Sequence, residues 1–304
     1  MKPQVTNIFI LIIIGLVMPN IVNAAPFFGV DIDLHNVAVD VRVNDIPVYF
    51  DEKMGQLTVE VPAPDKIIDG SNTLSISTAF PKDSANVSSP YQEGAYASAT
   101  LFRQDSEGTK QKLSSAIIKF DPEGIKFVET ENHLNNKKLT PDLMISKDGK
   151  VLLSESVEIK SPFPRWAWQD GKNIENTQEN YDSLIEAYRD IHSAMESKDV
   201  EKLFQLYSQR AIETAAAYSL DDEKEGHEKI STGKDMMNDT LSLYRFRTDL
   251  EGMRLDIFGN GRLARIVNKL NHQPIIFTEP KARLLHFHKL SFYLNNKNKW
   301  VIIR

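Results

Sequence analysis

Two histidines stand two residues apart in the stretch RLLHFHKLSFYLN, at His286 and His288. On an extended strand that spacing places both imidazoles on one face, with Leu290 and Phe292 following in the same alternation. Two imidazoles so placed can grip one metal ion, and either can act as a general base near neutral pH. A metal site needs a third ligand and usually a fourth, and no further His or carboxylate falls at a recognisable spacing. The plain alternative is a pair of partly exposed histidines on a sheet face. No metal and no cofactor is expected on these grounds.

A second polar pair lies in MRLDIF, where Leu255 and Ile257 share one strand face and Arg254 and Asp256 the other. Asp256 held ionised by a neighbouring cation could serve as a general base. The competing reading is a solvated cross-strand charge pattern. A third constellation is SPFPRWAWQDG, residues 161–171, which holds two of the three tryptophans of the chain. Pro162 and Pro164 forbid a continuing strand or helix there. Phe163, Trp166 and Trp168 would each bury a large area. The segment therefore reads as a rigid clamp between two packed units, or alternatively as an exposed aromatic platform for a sugar or a protein partner. Arg165 could stack on a ring in either case.

Other chemistry is missing. The chain has no cysteine, which removes a thiol nucleophile and a disulfide framework together. It contains neither Gly-x-Ser-x-Gly nor His-Glu-x-x-His. The glycines of GNGR, residues 259–262, suit a hairpin and not a phosphate loop. SLDDEKEGHEK lacks the alternating ligand positions of a calcium loop and reads as a solvated loop or helix edge.

The elements that must carry these residues change character along the chain. From 30 to 160 the period is two: Val37, Val39, Val41 and Val43 alternate with polar residues in VAVDVRVN, and QLTVEV and NTLSIS repeat the pattern. Turn signals separate such runs at Lys53-Met54-Gly55, Asp69 to Asn72, Asp105 to Gly108 and Asp148-Gly149, and residues 81–94 read as a polar loop. This predicts an all-β sandwich over 25–160, followed by a Pro/Trp-rich linker over 161–171. Beyond the linker the period becomes helical. Tyr181, Leu184, Tyr188, Ile191 and Met195 form one apolar stripe, capped by Asn176 or Thr177. Asp199 caps a second helix whose buried face is read as Val200, Leu203, Phe204, Tyr207, Ala211 and Ala215. A short third helix is predicted within 231–246. Strands then return to the C-terminus, so that 172–304 forms an α+β unit.

In this second unit AYRDIHSAMESKDVEKLFQLYS resembles the first helix pair of the NTF2-like superfamily, with Lys198-Asp199 at the turn and Leu203 to Tyr207 as its LxxLY stripe. LSFYLNNKNKWVIIR resembles that superfamily's closing hairpin. The resemblance implies helices packed on one curved antiparallel sheet, enclosing a cone-shaped pocket. Some members are hydrolases, dehydratases or isomerases; many only bind or assemble. In such a pocket Tyr207 and Arg254 become ligand-contact candidates, beside Trp166 and Trp168 of the linker, and His286, His288 and Asp256 the acid/base candidates. The chain departs from the pattern after Tyr207, where it continues helically and not into a strand.

The first residues, MKPQVTNIFILIIIGLVMPNIVNA, carry the parts of a secretory signal: a positive start at Lys2, an apolar run from Ile8 to Met18, and small residues before Ala25. The run falls short of the roughly 20 residues a spanning helix needs. Cleavage near Ala24 and a periplasmic or secreted location are expected, with no membrane segment afterwards. The formal charge of −6 argues against nucleic acid as a partner. With export, little chemistry and a pocket-forming fold, the leading expectation is a non-catalytic binding protein for a protein partner or a small ligand, of inhibitor or immunity type. The alternatives are a cone-pocket enzyme using His/Asp acid/base chemistry, and an envelope carbohydrate binder.

Overall fold

A computed structural model describes residues 25–51, 55–79, 93–135, 137–139, 141–145 and 151–303. The expected signal segment, the turns at Lys53-Met54 and Asp148-Gly149, and most of the 81–94 loop lie outside the described residues.

The N-terminal half is built from eleven strands: β1 (Phe27–His35), β2 (Ala38–Val43), β3 (Ile46–Asp51), β4 (Gln56–Pro62), β5 (Gly70–Ala79), β6 (Tyr96–Gln104), β7 (Lys110–Asp121), β8 (Gly124–Asn132), β9 (Lys137–Leu139), β10 (Asp142–Ile145) and β11 (Val151–Ile159). All pair antiparallel, in a six-stranded sheet of order β4-β1-β6-β7-β8-β9 and a five-stranded sheet of order β10-β11-β5-β2-β3. The alternation in β2 does what its period predicts: Val39, Val41 and Val43 are buried, while Asp40 and Arg42 stand half-buried on the outer face. Val30, Ile32 and Leu34 of β1 meet Leu74 and Ile76 of β5 and Leu153 of β11 in one apolar cluster between the sheets. Burial of each such side chain stabilises by about 1.5–3 kcal/mol. Asn44 and Asp45 join β2 to β3 with φ of 54° and 60°. Two left-handed residues make the tight hairpin turn whose twist matches the strands.

The C-terminal half carries α1 (Gln178–Glu196), α2 (Val200–Tyr218), α3 (Glu223–Lys229), α4 (Lys234–Met237), and then β12 (Ser242–Leu243), β13 (Arg254–Phe258), β14 (Leu263–Val267), β15 (Ile276–Glu279), β16 (Leu284–Phe287), β17 (Phe292–Leu294) and β18 (Trp300–Ile302). Thr177 caps α1 by accepting from Asn180 N, and Asp199 caps α2 by accepting from Lys202 N. Leu184, Tyr188, Ile191 and Met195 of α1 pack on Ala264, Ile266, Phe292 and Ile302 of the strands.

Three expectations are corrected here. The strands do not form one curved sheet but two, of order β12-β15-β16 and β13-β14-β17-β18. The expected long strand over RLLHFHKLSFYLN breaks between β16 and β17, because Leu290 N donates to the Gln273 side chain and the Leu290 side chain is buried. On α2, Val200 and Phe204 are exposed at 39% and 40% and not part of the buried face. Residues 223–229, in the segment read as a solvated loop or helix edge, form a helix, α3, capped by Asp222, which accepts from Glu225 N. α3 lies so close on α2 that a Cβ added to Gly226 would come within 2.0 Å of the Ala211 carbonyl oxygen. It also brings His227 onto the Phe204 ring, with centroids 4.4 Å apart.

The two halves share apolar packing. Phe163, Trp166 and Trp168 join the cluster between the two N-terminal sheets with Ala217, Phe258, Leu263, Tyr293 and Ile303 of the C-terminal half. Among the described residues no helix is long and apolar enough to cross a membrane.

Candidate functional site

Only part of the sequence-derived site set comes together. Tyr207 projects from the buried face of α2, and its hydroxyl lies 2.6 Å from Nε2 of His288. His288 follows β16, where its backbone N donates to the carbonyl of Ile275. Its other ring nitrogen, Nδ1, lies 3.4 Å from a carboxylate oxygen of Asp235 on α4. The direction of the Tyr207 contact depends on the imidazole tautomer; with a carboxylate facing Nδ1, the tautomer protonated at Nδ1 is favoured, which leaves Nε2 to accept from the Tyr207 O–H. The result is a chain of carboxylate, imidazole and hydroxyl that ties α4, α2 and the segment after β16 together.

The electrostatics of the chain follow from burial. His288 holds the Asp235 carboxyl below the usual carboxylate range, chiefly through their hydrogen bond and despite partial desolvation. Burial pushes the Tyr207 phenol well above its ordinary value and outweighs the opposing pull of the Arg210 guanidinium, which lies 5.8 Å from the ring centroid. Tyr207 is therefore a neutral donor, 3% exposed. Phe277 contacts the His288 ring edge-on, with centroids 6.2 Å apart.

His286, two residues earlier, is exposed and lies 3.4 Å from Glu279 across the β15–β16 hairpin. The remaining candidates lie elsewhere. Asp256 is bound by Arg265, its cross-strand neighbour, at 2.8 Å. Arg254 does not partner Asp256; it donates to the carbonyl of Asn268 at 3.0 Å. Trp166 and Trp168 are 0% and 3% exposed at the junction of the halves, so neither offers a ring face to an external sugar. Arg165 bonds Asp170 at the surface. Among the described residues no group of three or more His, Asp or Glu is placed to hold a metal ion.

On the far side of Phe277 and Met236 opens a cleft of about 600 Å³. The C-terminal end of α1 forms one wall, with His192, Met195 and Glu196, and β12 with the flanking Leu241 and Tyr244 forms the other. Lys198, Asp239 and Arg245 stand at its polar rim. Among the described residues β12 pairs with β15 alone, which makes it a sheet edge. His192 is buried, and its Nε2 donates to the carbonyl of Tyr244 at 2.9 Å. Sequence reasoning passed over His192, although it lies one turn beyond Tyr188 on the same stripe and could have been found by that spacing. It also passed over Asp235 and the strand edge of β12, which no local pattern marks.

Comparison with known proteins adds no relative: no family model, curated protein or solved structure matches this chain.

Proposed function

We propose that this chain is an exported, non-catalytic binding protein that takes an extended segment of a protein partner into the cleft between α1 and β12. The observation that carries the reading is the pairing of a strand edge with an apolar floor: among the described residues β12 has a neighbour on one side only, and Met195, Leu243 and Phe277 line the space beside it. A segment added as a further strand gains main-chain hydrogen bonds from such an edge and specificity from the side-chain pockets. The rim carries both signs of charge, through Glu196, Asp239, Lys198 and Arg245, which suits a polypeptide better than a single small ion. The histidine nearest the cleft is occupied by a backbone carbonyl, which supports binding over turnover. An inhibitor or immunity role, a periplasmic or secreted location, the division into domains at 25–160 and 172–304, and an NTF2-like ancestry of the second are parts of the same proposal.

A second reading rests on a separate observation. The order Asp235, His288, Tyr207 is that of an oriented acid/base relay. It supports a cone-pocket hydrolase, dehydratase or isomerase with His288 as base. Capture experiments on the mature protein in extracts of its own cell envelope separate the two. Binding should be lost in Leu243→Glu and retained in Tyr207→Phe. Retention in Leu243→Glu, or loss in a well-folded Tyr207→Phe, would reject the cleft as the binding surface.

A further inference from the structure

We propose that the outer face of the five-stranded sheet, where it meets the 259–262 turn, is a binding site for a neutral saccharide. A second cleft, of about 410 Å³, lies there. Its centre is Arg42. The guanidinium donates through Nε and Nη2 to one oxygen of Asp40, at 2.9 and 2.8 Å, and through Nη1 to Asp45 at 2.9 Å. Three of its five N–H groups are thereby fixed in direction, and the other two are left over. The second carboxylate oxygen of Asp40, Oδ1, is shielded from solvent and has no partner among the described residues. A buried acceptor left unpaired is costly, and a small turn of the Asp40 carboxylate toward the cleft would let a ligand hydroxyl supply the missing donor.

The surroundings supply the rest of a polyol site. Ser77 stands beside Asp40 and Ser75 beside Arg42, each in register on the neighbouring β5, and Ser154 follows on β11 opposite Ser75. This is a lattice of hydroxyls at strand spacing, each able to donate and accept. On the other side Phe50, opposite Asp40 on β3, shares the same face and is 43% exposed. An aromatic face beside a hydrogen-bonding floor matches the amphipathic character of a sugar ring, whose C–H face is apolar and whose edge is polar. Charge selects among polar ligands. Two carboxylates against one guanidinium leave the cleft with surplus negative charge, so a phosphate, a sulfate or an acidic sugar is disfavoured and a neutral one is not.

Two hairpin turns from opposite halves hold the site in place. Asp45, in the β2–β3 turn, accepts from Asn260 N at 3.0 Å through its side chain and from Gly259 N at 3.2 Å through its carbonyl. Asn260 reaches the rim of the cleft by this contact. The site belongs to the assembled chain and is separate from the α1–β12 cleft.

The test uses the mature full chain on an array of neutral and anionic oligosaccharides, followed by calorimetric titration with the best neutral hit. Binding of a neutral oligosaccharide is expected, weakened at least tenfold in Phe50→Ala and in Asp40→Asn. Phe50→Ala removes no hydrogen bond, so a loss of affinity with an unchanged melting temperature reports on the site and not on folding. Binding of anionic glycans only, no binding to the array, or neutral binding unchanged in Phe50→Ala would each overturn the proposal. Retention of partner capture in Phe50→Ala, together with loss of sugar binding, would keep this site distinct from the cleft at β12.

Discussion

The indole nitrogen of Trp166 donates to the backbone carbonyl of Ile67 at 2.7 Å, across a separation of 99 residues. Trp166 belongs to the linker and Ile67 to the segment before β5. The indole is fully buried, and Phe163 lies against it with ring centroids 5.6 Å apart. The linker backbone is fastened toward the other half as well, since Ala167 N donates to Glu213 of α2 at 2.7 Å, and just beyond it Ile174 N donates to the carbonyl of Gly261 at 2.8 Å.

Trp166→Ala should therefore destabilise the protein by about 3–5 kcal/mol, from lost burial and a cavity at the junction. Trp166→Phe should cost less, retaining the ring and leaving the Ile67 carbonyl without its donor. Thermal melts and limited proteolysis near residue 165 check this. Unchanged melts and unchanged cleavage in Trp166→Ala would reject the clamp.

Gly226→Ala should also destabilise, although alanine is the better helix former by about 1 kcal/mol. The added Cβ would sit 2.0 Å from the Ala211 carbonyl oxygen, and backbone cannot give way as a flexible side chain can. Overpacking of this kind costs about 1–3 kcal/mol. Urea titration of the variant should show a lower midpoint with an unchanged slope; a midpoint at or above that of the wild type would contradict the close α2–α3 approach.

Alkaline pH should unfold the protein in steps set by its buried tyrosines. Burial raises the phenols of Tyr188 and Tyr207, and pushes Tyr218 up to about 12. Above pH ~10 the unfolded chain releases these protons while the folded chain retains them, so the unfolded state binds fewer protons and stability falls as pH rises. Each such tyrosine contributes a slope of about 1.4 kcal/mol per pH unit between its unfolded and folded values. Tyr207→Phe should make the decline between pH 10 and 12 shallower by about one such increment. Equilibrium denaturation across this range measures it, and an unaltered slope would mean that Tyr207 is not held neutral.

At the acid end the sign reverses. Asp235 is held below its ordinary value by His288, so the stability it contributes is present above pH ~4 and is lost as pH falls through the depressed folded value. His288→Gln should flatten that acid limb while leaving the alkaline decline in place. A steep acid limb retained in His288→Gln would assign it to other carboxylates.

Protein recovered from the cell envelope should begin at Ala25. The apolar run Ile8 to Met18 is short for a membrane span, and the Val22-Asn23-Ala24 sequence offers a cleavage site. Intact-mass measurement decides it, and a full-length mass in the membrane fraction would refute export by cleavage.

Much of the architecture was legible along the chain because it depends on neighbours in sequence. The two-residue alternation of VAVDVRVN and NTLSIS dictates which side chains face inward as soon as the backbone is extended. The caps at Thr177 and Asp199 act within one turn of helix. The aromatic, proline-bearing composition of 161–171 favoured a clamp of buried rings and left an exposed aromatic platform as the alternative.

The functional geometry was decided by tertiary structure, for a physical reason visible in its spacings. Tyr207 and His288 are 81 residues apart, and Asp45 and Asn260 are 215 apart. No period or motif encodes such pairs; they exist only once helices and hairpins have packed. Asp235 gains a role because α4 comes to rest beside His288, and Asp256 finds Arg265 and not Arg254 because antiparallel register brings the former opposite. The division of the C-terminal strands into two sheets has the same origin, since the Gln273 side chain takes the Leu290 N–H that a continuous strand would give to a neighbouring strand. Local chemistry determined the elements, and the competition among long-range contacts determined which of their side chains meet.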